Sequence, residues 1–209
     1  VDRQQVGGGL AEVERDEAGA GGVAVRELGA QLDRTAAAGD AHEVAVGDAH
    51  LARVVGHDPR RDDMKDIVNV KIKFREPFRP FAPSVLAEQT EDYFVLPEAA
   101  RHYPGRFMLY VVDVREDKRH IIPAVTHVDG TGRLQTVHQG VSPRYYRLID
   151  TFGQATGVPI ILNTSFNLRG EPIVNTPQEA FNTFSLSGMD VLVLGDHVIE
   201  KTEGMTSRS

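Results

Sequence analysis

A break in composition near His57 decides where this chain can build a core. Residues 1–57 contain no Ile, Phe, Tyr, Met, Pro, Ser, Asn or Lys. They carry ten acids and five arginines, a net charge of −5. Residues 58–209 carry twenty acids and eighteen basic residues, a net charge of −2, and hold every Phe, Tyr and Pro. Cores are made of large apolar side chains, so the second part is where a fold is expected. The first part could form a loose amphipathic helix around Leu28–Leu32, stay disordered, or serve as an Ala/Gly-rich linker. We prefer a further reading. Apart from Thr35, every residue type used in 1–57 can be written with a codon beginning in G or C, as when a GC-rich gene is read out of frame. The expected division is therefore 1–57, a low-complexity segment that is disordered or an out-of-frame translation; 58–201, a folded domain; and 202–209, a tail.

Other global features mainly exclude. With 209 residues the chain suits one domain, or one domain with an appendage. It has no Cys, which removes disulfides, Cys-ligated zinc and thiol nucleophiles. No apolar run approaches the roughly 20 residues of a membrane span. The amino terminus lacks a basic-then-apolar signal pattern, so a cytoplasmic protein is expected. A net charge of −7 has the wrong sign for a general nucleic-acid binder.

The second part reads as α/β. Val68–Phe74 alternates apolar and polar residues like a half-buried strand, ending at Glu76-Pro77. Phe107–Val114 is a second strand, and Ile121–Thr126 a third, near an edge because of Pro123. Asp129-Gly-Thr-Gly132 marks a turn, from which Arg133–Val137 returns as a hairpin arm. Pro143–Thr156 has Tyr146, Ile149 and Phe152 at helical spacing, with Gly157 as the stop. Pro159–Asn163 and Pro172–Val174 read as short strands. Thr176 (N-cap), Pro177 and Glu179 open a helix running to about Leu186, with Gly188 ending it. Asp190–Gly195 is the last strand. This mixture predicts a twisted mixed sheet with flanking helices.

Three stretches could carry chemistry. In the first, a strand would align Lys71, Lys73 and Arg75 on one face, with Arg79 and Ser84 on the Pro-rich loop that follows. Aligned cations repel unless an anion compensates them, and a triphosphate or acyl phosphate would do so; the alternative is a solvated strand face. In the second, a buried strand runs into Asn163, Thr164, Ser165, Asn167 and Arg169. Loops at strand carboxyl ends bind ligands in open α/β sheets, although a structural Asx/Ser turn remains the plainer reading. The third contains Thr126, His127, Asp129, Arg133 and Gln135; a histidine beside a turn is more often structural than catalytic. The sequence contains no phosphate loop of the G-x-x-x-x-G-K-[ST] type and no G-x-S-x-G elbow.

In this order and spacing, the three stretches resemble the carboxyl-terminal domain of the O-carbamoyltransferase family, which includes nodulation and antibiotic-biosynthesis carbamoyltransferases. The similarity runs from Asp58-Pro-Arg-Arg61 through Lys73–Leu86, Pro123–Gly130 and Asn163–Val174 to Gly188–Gly195. The resemblance implies a YrdC-like fold, with Lys73-x-Arg75 resembling its K-x-R motif and Thr164-Ser-Phe-Asn167 its T-S-A-N loop, with Phe166 in place of Ala. It implies that the domain binds ATP with Mg²⁺ and carbamoyl phosphate, and makes carbamoyladenylate. An amino-terminal Kae1-like domain would use the family metal to transfer the carbamoyl group to an acceptor hydroxyl; the expectation is a separately encoded half of this kind, or else a chain that is the remnant of a broken gene. Lys73 and Arg75 would be catalytic. Arg79, Ser84, Thr126, His127, Arg133, Asn163, Thr164, Ser165 and Asn167 would bind substrate or nucleotide. No metal ligand is assigned within 58–201. A non-catalytic nucleotide-binding remnant and an RNA-binding module of the same fold are the alternatives.

Overall fold

A computed structural model describes residues 23–27, 44–47, 53–97, 103–195 and 197–201, with side chains from Gly56 onward. The helix considered around Leu28–Leu32 and the 202–209 tail lie outside the described residues. The strands are β1 (Val23–Glu27), β2 (Val44–Gly47), β3 (Arg53–His57), β4 (Ala82–Leu86), β5 (Phe94–Val95), β6 (Tyr110–Val114), β7 (Thr131–Val137), β8 (Ile160–Ser165), β9 (Val191–Leu194) and β10 (His197–Lys201). They form one sheet in the order β1-β10-β9-β2-β3-β8-β4-β7-β6-β5. The β2–β9 and β4–β7 pairs are parallel and the others antiparallel. With helices α1 (Met64–Ile67), α2 (Thr90–Tyr93), α3 (Pro143–Thr156) and α4 (Pro177–Leu186), this is the expected mixed-sheet α/β fold. Three strands lie within 1–57. Ladder hydrogen bonds come from the backbone, so valine-rich segments can join a sheet without the large side chains a core needs.

Strand alternation sorts the central sheet into two faces. Ser84 opposes Gln135, Ser84 also opposes Ile161, and Ala82 opposes Asn163. One face therefore carries Ala82, Ser84, Leu86, Arg133, Gln135, Val137, Ile161, Asn163 and Ser165. The other carries Val85, Val112, Val114, Leu134, Ile160 and Leu162, which join the main core with Met64, Val68, Ile72, Phe166 and Phe184. On the first face, α3 covers Leu86, Val137 and Ile161 with Tyr145 and Ile149. Tyr145 also reaches the Ser84 side chain, while Asn163 and Ser165 lie toward the end of β8.

The helices α3 and α4 form as their sequence signals require. Gly157 closes α3 with a left-handed φ of 77°. Thr176 and Glu179 make a reciprocal capping box on α4. Five local expectations are corrected. Val68–Phe74 is not a strand: α1 continues as a π-helix over Val68–Ile72. Met64, Val68 and Ile72 recur every four residues and are all buried, whereas Val70 is exposed. Seven residues fit both periods, and the upstream Met64 decides for the helix. Lys71, Lys73 and Arg75 therefore do not share a strand face. Ile121–Thr126 contains a 3-10 turn over Pro123–Val125, because proline offers no N–H to a ladder and its fixed φ suits a first helical turn. Pro172–Val174 stays outside the sheet, with the Val174 N–H donating to the Phe166 carbonyl at 3.0 Å. Ser84 lies within β4, not in a loop. The Phe107–Val114 strand starts only at Tyr110, after a 3-10 turn at Tyr103–Phe107 and a left-handed Met108.

Candidate functional site

The first and second polar stretches meet through Lys73. Its ammonium donates to the Ser165 carbonyl, to Asn167 Oδ1 at 2.9 Å, and to the Asn167 carbonyl at 3.1 Å. Ser165 Oγ lies 3.3 Å away and itself donates to Asn167 Oδ1 at 2.7 Å. The π-helix thus hands Lys73 to the loop after β8, and Lys73 holds that loop in place. Burial, with the Arg75 cation beside it, pulls the Lys73 pKa down to about 7. The surrounding oxygens act the other way, since an ammonium offers three donors to them. Behind it, buried His57 is held neutral, with burial first and the Lys73 charge second lowering its pKa to about 3.

The loop after Lys73 turns sharply at Phe74, whose φ is 47°. That conformation is unfavourable for a bulky L-residue and is held by its surroundings. Asn69 supplies much of the hold. Fully buried, it accepts from Arg75 Nε at 2.7 Å and donates to the Pro77 and Arg79 carbonyls at 3.1 and 3.0 Å. Arg75 also lies over the Phe81 ring, 4.8 Å from its centroid.

Around this loop the cations gather. Burial lowers the Arg75 pKa, with Arg79 and Arg133 adding repulsion that Glu76 partly offsets. Arg79 is exposed and pairs with Glu76 at 3.1 Å. Burial also lowers the His127 pKa; Arg133 adds to that and Asp129 opposes it. His127 Nδ1 sits 2.9 Å from Thr131 Oγ1, within the turn that Asp129 caps. Arg75 thus couples electrostatically to Lys73, Arg79 and Arg133, and Arg133 to His127, joining the first and third stretches.

The structure does not bring every expected residue into this group. Ser84 is fully buried and gives its hydroxyl to Gln135 Oε1 at 2.6 Å. Thr126 returns its hydroxyl to the Ile122 carbonyl. Thr164 alternates to the opposite face from Asn163 and Ser165. Asn163 is buried and donates to Gln135 Oε1 at 2.6 Å. Sequence reasoning missed Asn69, although an asparagine between two valines in an apolar run was a signal. It also missed the organising part of Gln135, which no local pattern announces. Among the described residues no helix is long and apolar enough to cross a membrane, and no three metal-ligating side chains cluster.

A family profile described as Carbamoyltransferase C-terminus matches residues 45–201. The chain belongs to the carbamoyltransferase family. This carbamoyltransferase segment is 49% identical over 144 residues to nodulation protein NolNO of Sinorhizobium fredii, covering 69% of this chain and 21% of that protein. It is 46% identical to nodulation protein NolO of Bradyrhizobium diazoefficiens, with 69% and 26% covered. It is 34% identical over 134 residues to the 3'-hydroxymethylcephem-O-carbamoyltransferase of Amycolatopsis lactamdurans, with 64% and 24% covered. The chain therefore spans 21–26% of the length of these curated relatives. The carbamoyltransferase match begins ahead of Asp58 and takes in β3 and most of β2.

Proposed function

We propose that this domain binds ATP and carbamoyl phosphate and forms carbamoyladenylate, in a YrdC-like site. An amino-terminal, metal-bearing domain would then move the carbamoyl group to an acceptor hydroxyl. The observation that supports this most is the crowding of Lys73, Arg79 and Arg133 around Arg75. Such a group is self-repelling, and a polyphosphate is the natural counterion for it.

The chemistry balances in two steps. Carbamoyl phosphate and water give carbamate and inorganic phosphate. A carbamate oxygen then attacks the α-phosphorus of ATP, forming the new P–O bond as the bond to pyrophosphate breaks. Negative charge grows on the equatorial and departing oxygens, and positioned cations lower that barrier without a protein nucleophile. Arg75, fixed by Asn69 and Phe81, is the rigid member; Arg79 and Arg133 are the exposed ones. Lys73 holds Ser165 and Asn167 where they can orient the nucleotide, and its own charge strengthens the field. Mg²⁺ arriving with ATP would be carried largely by the nucleotide phosphates, its usual mode with such substrates.

The test is pyrophosphate release by the purified chain given ATP, Mg²⁺ and carbamoyl phosphate. Release that requires carbamoyl phosphate is expected. ATP binding without such release would leave only a nucleotide-binding remnant, and would overturn the adenylation reading.

A further inference from the structure

Beneath the arginines lies a hydrogen-bond chain whose direction is set from one end. Gln135 Nε2 donates to the Arg106 carbonyl at 3.3 Å, which turns Oε1 the other way. There Oε1 accepts from Ser84 Oγ and from Asn163 Nδ2, each at 2.6 Å. An oxygen cannot hydrogen-bond another bare oxygen, so Asn163 must show its nitrogen to Gln135. Its Oδ1 is left facing elsewhere. That oxygen is buried and has no hydrogen-bond partner among the described residues, in a side chain only 2% exposed. Buried acceptors are rarely left in this state.

The location makes the acceptor informative. By strand register, Asn163 shares its sheet face with Arg133 and with Ser165, the residue that Lys73 holds. A carbonyl oxygen repels phosphate oxygens, so Asn163 Oδ1 is no part of an anion site. It suits an N–H donor placed next to an anion. Among acyl phosphates, the carbamoyl group is set apart by its amino group. We infer that Asn163 Oδ1 accepts a hydrogen bond from the carbamoyl amino group and so selects carbamoyl phosphate over acyl phosphates that lack an N–H. Gln135 is the positioning residue: held by the Arg106 carbonyl, it prevents the Asn163 amide from flipping. The inference rests on the carbamoyl phosphate reading above.

The experiment is equilibrium binding of carbamoyl phosphate, acetyl phosphate and inorganic phosphate to the full chain by calorimetry. Acetyl phosphate replaces the amino group by a methyl of similar size. The wild type is expected to favour carbamoyl over acetyl phosphate by about tenfold or more, because a site built around an N–H donor rejects an analogue lacking it. Asn163→Leu should bring that ratio close to one. Gln135→Met, which keeps Asn163 but removes its orienting acceptor, should lower the ratio in the same direction. Near-ultraviolet circular dichroism checks that each variant is folded. A wild-type ratio near one, or a ratio unchanged in Asn163→Leu, would overturn the inference, and a buried water on Oδ1 would give that result. If none of the three phosphates binds, the carbamoyl phosphate reading falls as well, which separates the two failures.

Discussion

Acidification should destabilise this domain through His57 in particular. Its folded-state pKa is lowered from 6.5 to about 3 by burial, with Lys73 adding to the effect. Between those values the unfolded chain binds a proton that the folded chain refuses, so stability falls as pH falls from about 6.5 toward 3. At about pH 4.5 the unfolded imidazole is two units below its pKa and the folded one is still neutral. At about 1.4 kcal/mol per unit, that amounts to roughly 3 kcal/mol lost relative to neutral pH. Total stabilities of domains are only about 5–15 kcal/mol, so the effect is measurable by urea unfolding. Carboxylates also titrate in this window, and a His57→Asn variant separates them because it keeps a polar side chain there but removes the ionisation. The wild type should lose roughly 3 kcal/mol more than His57→Asn between about pH 7.5 and about pH 4.5. Equal losses would show that His57 titrates normally and would refute the burial argument. The consequence reaches the site, because the His57 backbone pairs with Leu162 on the strand that delivers Asn163 and Ser165.

Three further outcomes are expected. Lys73, with a pKa near 7 in the free protein, should take up a proton when a phosphate ligand binds, so ATP affinity should fall as pH rises from about 7 to about 9; calorimetry in two buffers at about pH 8 should show that uptake, and Lys73→Met should abolish it. Asn69→Leu should destabilise the domain by roughly 2–4 kcal/mol, since three buried hydrogen bonds go at once, and should weaken ATP binding by freeing Arg75; a variant that unfolds more easily yet binds ATP normally would separate Asn69 from the site. Gly153→Ala should lower the melting temperature even though alanine is favoured over glycine in a helix by about 1 kcal/mol, because a Cβ there would meet Pro159 Cβ at 2.8 Å and Cα at 2.9 Å, in a rigid ring that cannot step aside; a rise in melting temperature would contradict the close packing of α3 on Pro159.

The sequence by itself determined the fold class and the long helices. Capping signals such as Thr176-Pro-Gln-Glu179 and the Gly157 stop act within a few residues, so they are visible locally. It also determined the family, because its motifs keep their order and spacing whatever the tertiary arrangement. Tertiary structure decided the rest. Val68–Phe74 fits two periodicities, and only packing of Met64, Val68 and Ile72 into one core chose the helix. Once that happened, Lys73 could no longer lie in a row with Lys71 and Arg75; it turned instead to the loop after β8, ninety-odd residues away. Ser84 looked like a loop ligand and became a buried partner of Gln135, because β4 runs between β7 and β8. The lone acceptor of Asn163 exists only because three strands set Ser84, Gln135 and Asn163 side by side. Hydrogen-bond direction across strands depends on register, and register is fixed by which face the apolar residues must bury.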